Sequence, residues 1–132
     1  MAKVFKYVTI EGQKVLALFD PGSTLNWIAE KYVPLYAPIE PLKEELTFSL
    51  PKVGEVKVNK YYLLLLDVGV EKNRLPFAVV RKNYNYIFRD FDTRKLTWLN
   101  VEAIIGAVTF EILGITIDWS SGEIKKIREA FL

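Results

Sequence analysis

The stretch Lys14-Val15-Leu16-Ala17-Leu18-Phe19-Asp20-Pro21-Gly22-Ser23-Thr24 decides how the rest of the chain is read. Five apolar residues in unbroken succession suit a strand buried on both faces. A carboxylate stands at the end of that strand, and an ionisable group there needs a reason. Pro21 and Gly22 supply one, because they occupy the two central positions of a four-residue turn, and Asp-Pro-Gly-Ser has strong turn chemistry. The other reason is a functional carboxylate. A simple hairpin would resume apolar–polar alternation after its turn, and Ser23-Thr24-Leu25-Asn26-Trp27-Ile28 does so poorly.

Outward from this point the chain reads mostly as strand. Residues 4–10 are β-branched and aromatic, and Glu11-Gly12-Gln13 reads as a turn. Residues 25–32 suit a short strand or a helical turn, after which Pro34, Pro38 and Pro41 are expected to exclude any long element. Two strands are expected at 46–50 and 55–66, joined by Pro51-Lys52-Val53-Gly54, and a third at 75–80. The polar-aromatic segment 82–99 shows no single period. Residues 101–105 read as a short buried strand ended by Gly106. Residues 107–113 fit one or two helical turns stopped by Gly114. The spans 115–119 and 123–127 form a last hairpin across Ser120-Ser121-Gly122. The expected fold is all-β: one domain over residues 1–132, a closed and mainly antiparallel barrel with a short helix near 107–113.

Composition narrows the chemistry. The 132 residues carry a net charge of +2 and contain neither histidine nor cysteine. Disulfides, thiolate or imidazole nucleophiles and the usual zinc sites are therefore excluded. Acid–base work near neutral or acidic pH falls to carboxylates. No leader sequence is read at Met-Ala-Lys-Val, and the apolar run 61–66 is too short to span a bilayer, so a cytoplasmic protein without a membrane partner is expected.

Three separated segments resemble the retropepsin-like (retroviral-type) aspartic proteases. Leu18-Phe19-Asp20-Pro21-Gly22-Ser23-Thr24 resembles their active-site segment, two apolar residues followed by Asp-Thr/Ser-Gly-Ala/Ser. Ala103-Ile104-Ile105-Gly106 is similar to their second signature, an apolar pair and a glycine leading into a short helix. Ile115-Thr116-Ile117-Asp118-Trp119, with Gly122 and Ile124, resembles their closing hairpin. The resemblance implies an aspartic endopeptidase in which two carboxylates hold a water between them and share one proton, with no cofactor and no metal. Of the five aspartates, Asp20 alone is assigned the motif, with Asp67, Asp90, Asp92 and Asp118 set aside. One chain then holds one lobe, and the enzyme is expected to be a homodimer acting on a peptide or protein substrate.

The resemblance also assigns supporting roles. Gly22 presents its N–H to the carboxylates, Ser23 bonds the outer oxygen of Asp20, and Pro21 stands where relatives carry the hydroxyl that bonds across the dimer. Residues 46–66 become the flap, with its tip near Val53 and Gly54. The alternative is a catalytically silent binding or dimerisation module on the same fold. A third reading, nucleic-acid binding, starts from the cations and aromatics of 82–89 with Phe91, Arg94 and Lys95. It is disfavoured by the small net charge and by Asp90 and Asp92. Trp27, Trp98 and Trp119 are expected as core or interface anchors. Ile124, Ile127 and Phe131 suggest an apolar, near-helical tail.

Overall fold

The computed structural model describes residues 4–50, 54–80, 84–89 and 96–127, with the backbone path alone at 50, 84–89 and 96–100. Strands β1 (Val4–Ile10) and β2 (Gln13–Phe19) form an antiparallel hairpin in register from Val4↔Phe19 to Ile10↔Gln13. Its two-residue turn holds Glu11 at φ 48° and Gly12 at φ 78°, the left-handed pair that matches hairpin twist. Glu11 is fixed there from outside the turn. Its N–H donates to the Leu65 carbonyl at 2.9 Å, and its carboxylate accepts the Leu65 N–H at 3.2 Å.

Residues 25–32 resolve into both expected alternatives in succession: β3 (Asn26–Ala29), then a 3-10 turn (Glu30–Tyr32). β4 (Ile39–Leu50) corrects the expectation that proline excludes a long element, because it runs twelve residues through Pro41. The reason is its position. β4 is the outermost strand of its sheet, where a missing N–H costs no ladder bond, and a register shift between Pro41 and Leu46 absorbs the mismatch. β5 (Gly54–Asp67) and β6 (Lys72–Val80) follow, then β7 (Tyr84–Arg89) paired with β8 (Leu96–Val101). β9 (Ala103–Ile105), α1 (Ala107–Leu113), β10 (Ile115–Asp118) and β11 (Glu123–Lys126) complete the order. Helix α1 stops where Gly114 enters the left-handed region at φ 62°, as its side-chain-free backbone permits. Ile124 lies in a strand rather than a helical tail; Phe131, like the nucleic-acid candidates Lys82, Asn83, Phe91, Arg94 and Lys95, lies outside the described residues.

The described chain is thus mostly β with one short helix. Its main sheet has the order β1-β2-β9-β3-β6-β5-β4. β5 also pairs β1 through Thr9↔Asp67 and Ile10↔Leu66, so the pairings lead back to their start and leave β4 outside. Two apolar clusters fill the interior. The larger includes Ile10, Val15, Phe19, Leu66, Phe77 and Ile105, all at 0% exposure. The second joins Leu18, Trp27, Val58, Ala78, Val101 and Ile104, with Phe48 and Val56 against it. Trp27 anchors that cluster as expected and meets Phe48 edge-on at 5.1 Å, while Trp119 is partly exposed with its ring against Phe110. No helix among the described residues is long and apolar enough to cross a membrane.

Candidate active site

Strand β9 lies between β2 and β3, parallel to the first and antiparallel to the second. The chain connecting β2 to β3 must therefore pass over the end of β9, and that connection carries Asp20. Asp20 continues the parallel ladder, its N–H donating to the Ile105 carbonyl at 2.9 Å. The turn then closes on itself. Ser23 N–H donates to the Asp20 carbonyl at 3.0 Å, and Gly22 N–H donates to Asp20 Oδ1 at 2.9 Å. Asp20 is half-buried, with Pro21 and Gly22 exposed at the crown.

The far side of the turn is braced by the segment after β9. Ala107 N–H donates to the Ser23 carbonyl at 2.7 Å. A Cβ on Gly106 would stand 2.4 Å from the Leu25 carbonyl oxygen and 2.5 Å from that of Ser23. Gly106 has an ordinary extended backbone, φ −96° and ψ −178°. Glycine is required here by close approach, not by dihedral angle. The apolar pair and glycine at 104–106 are thus the floor over which the Asp20 turn crosses.

Asn26 is the site residue that sequence reasoning missed. It has no exposed surface, and its Oδ1 accepts both the Gly106 N–H at 2.8 Å and the Thr109 hydroxyl at 2.7 Å. Its Nδ2 is buried without a hydrogen-bond partner among the described residues. The available signal was an amide inside the apolar run Leu25-Asn26-Trp27-Ile28-Ala29, since a buried polar group requires partners.

Two assignments are corrected. The Ser23 hydroxyl donates to the Leu25 carbonyl at 2.8 Å rather than to Asp20, because the chain bends back toward β3 immediately after the turn. Asp20 is not alone in its triplet either. Asp67-Val68-Gly69 repeats Asp-x-Gly, and Gly69 N–H donates to Asp67 Oδ1 at 2.8 Å. The local turn is an ordinary property of the triplet, so the setting rather than the motif distinguishes Asp20.

The flap assignment meets the structure in part. β4 and β5 form one long hairpin from Ile39↔Tyr62 to Leu50↔Gly54, with Gly54 at φ 92°. Val53 lies outside the described residues. Phe48, Val56 and Val58 of the hairpin pack on the cluster containing Leu18, and alternation puts Leu18 and Asp20 on one face of their strand. The hairpin therefore covers the face on which Asp20 emerges.

Charges cluster on the far side of the sheet. The Tyr32 hydroxyl donates to Glu102 Oε1 at 2.7 Å, and Lys31 pairs with Oε2. Burial pushes the Glu102 carboxyl up, but the hydrogen bonds from Lys31 and Tyr32 outweigh it and hold the group below its ordinary value. Burial and then Glu102 raise Tyr32, and the Glu102 hydrogen bond raises Lys31. This trio ties the 3-10 turn to the β8–β9 junction and does not touch Asp20. No protein-family model matches the chain, and no curated protein matches it.

Proposed function

We propose that the chain is one half of an aspartic endopeptidase, a retropepsin-like closed barrel that works as a homodimer with one Asp20 from each subunit. The observation that carries this reading is the crossing of the Asp20 turn over Ile105 and Gly106 between two strands that flank β9. It is the arrangement that holds a surface carboxylate rigid while leaving its outward side open. The return of the pairings from β5 to β1 supports the barrel. The exposed crown at Pro21 and Gly22 leaves room for a twofold mate.

In the dimer the two Asp20 carboxyls face one another too closely for both to ionise. One keeps its proton and acts as acid toward the scissile carbonyl; the other takes a proton from the bound water, whose oxygen attacks that carbonyl. Gly22 N–H, already on Oδ1, keeps each carboxylate oriented. The β4–β5 hairpin excludes water above the substrate. Because one carboxyl must hold a proton while the other accepts one, activity should follow a bell-shaped profile on the acidic side.

The test is cleavage of a mixed peptide library by the purified protein, beside sedimentation at several concentrations. Acid-side cleavage by a dimer, lost in Asp20→Asn, is expected. A monomer at every concentration and pH would remove the enzyme, and a dimer without cleavage would favour the silent module.

A further inference from the structure

The floor beside Asp20 is a row of side chains that crosses four strands. Leu18 of β2 stands level with Ile104 of β9, Ile104 with Trp27 of β3, and Trp27 with Ala78 of β6. Residues in register share a face, and two steps along β2 the same face carries Asp20. None of the four is more than 5% exposed. A peptide reaching Asp20 from this side would have to lie on ground that is already covered.

The cover is the distal arm of the β4–β5 hairpin. Its pairs Phe48↔Val56 and Leu46↔Val58 alternate with Thr47↔Lys57 and Ser49↔Glu55, so the arm is apolar on one face and polar on the other. Phe48, Val56 and Val58 pack within the floor's cluster, and the Phe48 ring meets Trp27 edge-on at 5.1 Å. The base of the hairpin is held differently. There Leu63 N–H donates to the Pro38 carbonyl at 2.9 Å, Ile39 pairs with Tyr62, and the ladder from β5 to β6 starts at Tyr62↔Phe77. Residues 46–50 and 54–58 lie beyond the register shift that follows Pro41, and the strand registers of the described residues pair them with one another. Main-chain bonds fix the base, while side-chain packing holds the arm down. A unit tied in this way can open locally without global unfolding.

We propose that Phe48 is an autoinhibitory latch on the Asp20 site. Its ring holds the ground against Trp27 that a substrate side chain needs, and the arm lifts about the shift between Pro41 and Leu46 to admit the peptide. The inference rests on the peptidase reading of Asp20 and adds the regulation of that same site. The closed form binds no peptide, so apparent affinity falls in proportion to the fraction of chains whose arm is open. Weakening the Trp27–Phe48 contact raises that fraction.

The chain has no cysteine, so an introduced thiol reports on one place. Ala78→Cys puts it in the floor, and Ala17→Cys puts it in the larger cluster on the opposite face of the sheet. Each is labelled with a small thiol reagent under native conditions, with and without Phe48→Ala. Phe48→Ala should speed labelling at Ala78→Cys about tenfold, as loss of a packed aromatic pair predicts, and leave Ala17→Cys unchanged. Cleavage of the mixed peptide library should show the same factor in kcat/KM, carried by KM, because both readings measure the open fraction. Adding Asp20→Asn should abolish cleavage and leave labelling as it was. Unchanged labelling beside intact cleavage would overturn the latch alone. So would equal acceleration of both thiols, which would make Phe48 a residue of the whole fold, or faster floor labelling with unchanged cleavage. Faster floor labelling with no cleavage by any variant would overturn the peptidase reading, and the inhibitory role with it.

Discussion

The chain writes Asp-x-Gly twice and folds it the same way at first. At Asp20 the Gly22 N–H meets Oδ1 at 2.9 Å, and at Asp67 the Gly69 N–H meets Oδ1 at 2.8 Å. Beyond that bond the two turns diverge. A Cβ on Gly69 would meet nothing within 4 Å, whereas one on Gly106, beneath the Asp20 turn, would meet two carbonyl oxygens. Gly69 needs its left-handed φ of 98° to reverse the chain between β5 and β6. The Asp67 turn has one pairing from another strand, Thr9↔Asp67, whereas the Asp20 turn is held by Ile105, Ala107 and, through Gly106, Asn26. A local hydrogen bond makes a turn, and external bracing makes a rigid platform for a carboxylate.

The sharpest way to break this comparison is to neutralise each aspartate. Asp20→Asn is expected to lower peptide cleavage by about 10²–10⁴-fold, the usual share of acid–base catalysis. Asp67→Asn should leave kcat within about twofold. Equal losses would mean that the bracing confers nothing.

The glycines come next. Gly106→Ala should destabilise the fold by about 3 kcal/mol, because backbone oxygens must retreat from the new methyl group. Gly69→Ala should cost about 1 kcal/mol, through its positive φ alone. Paired denaturant melts read the difference. Asn26→Ala falls between them at about 2 kcal/mol, since it strands the Gly106 N–H and the Thr109 hydroxyl without an acceptor.

The middle residues separate the turns through assembly. Pro21→Thr restores the hydroxyl that the resemblance implies should bond across the dimer. Two such bonds of about 1 kcal/mol each would tighten the dimer about thirtyfold in a sedimentation dilution series. Val68→Thr should leave it unchanged.

The smallest effect comes from a third aspartate turn. Asp118 Oδ1 accepts the Ser120 hydroxyl at 2.6 Å and the Ser120 N–H at 3.0 Å, and these bonds hold its carboxyl below the ordinary value. The unfolded chain therefore binds the proton more readily than the folded one. The turn's contribution is complete above the ordinary aspartate range and is lost only as pH falls through the lowered value. A carboxyl NMR titration should follow this midpoint, and Ser120→Ala should move it upward.

Much of this was legible in the sequence, for local reasons. The β1–β2 hairpin, the helix at 107–113 and its stop at Gly114 follow from propensity and turn chemistry within a few residues. β4 was not legible because the cost of Pro41 depends on whether its strand lies at an edge, and neighbours alone decide that. Asp67-Val68-Gly69 was overlooked because its triplet closes an apolar run that reads as plain strand. The Ser23 hydroxyl has several acceptors within reach, and only the bend toward β3 selects Leu25. Asn26 was not legible because its two partners lie 80 and 83 residues away and nothing near it in sequence announces them.

That separation governs when the site comes into being. The Asp20 turn and the β1–β2 hairpin use contacts close in sequence and can form within microseconds. β9 must still enter between β2 and β3, and closing a loop of this length costs about 4 kcal/mol of chain entropy before any bond is returned. Contacts so distant are made late in folding. A nascent or truncated chain that lacks β9 would carry the aspartate turn unsupported, with the Asn26 and Ser23 carbonyls' partners absent. Under the proposed function, the Asp20 platform is complete only once β9 has joined the sheet, so the topology itself serves as a timer on the site.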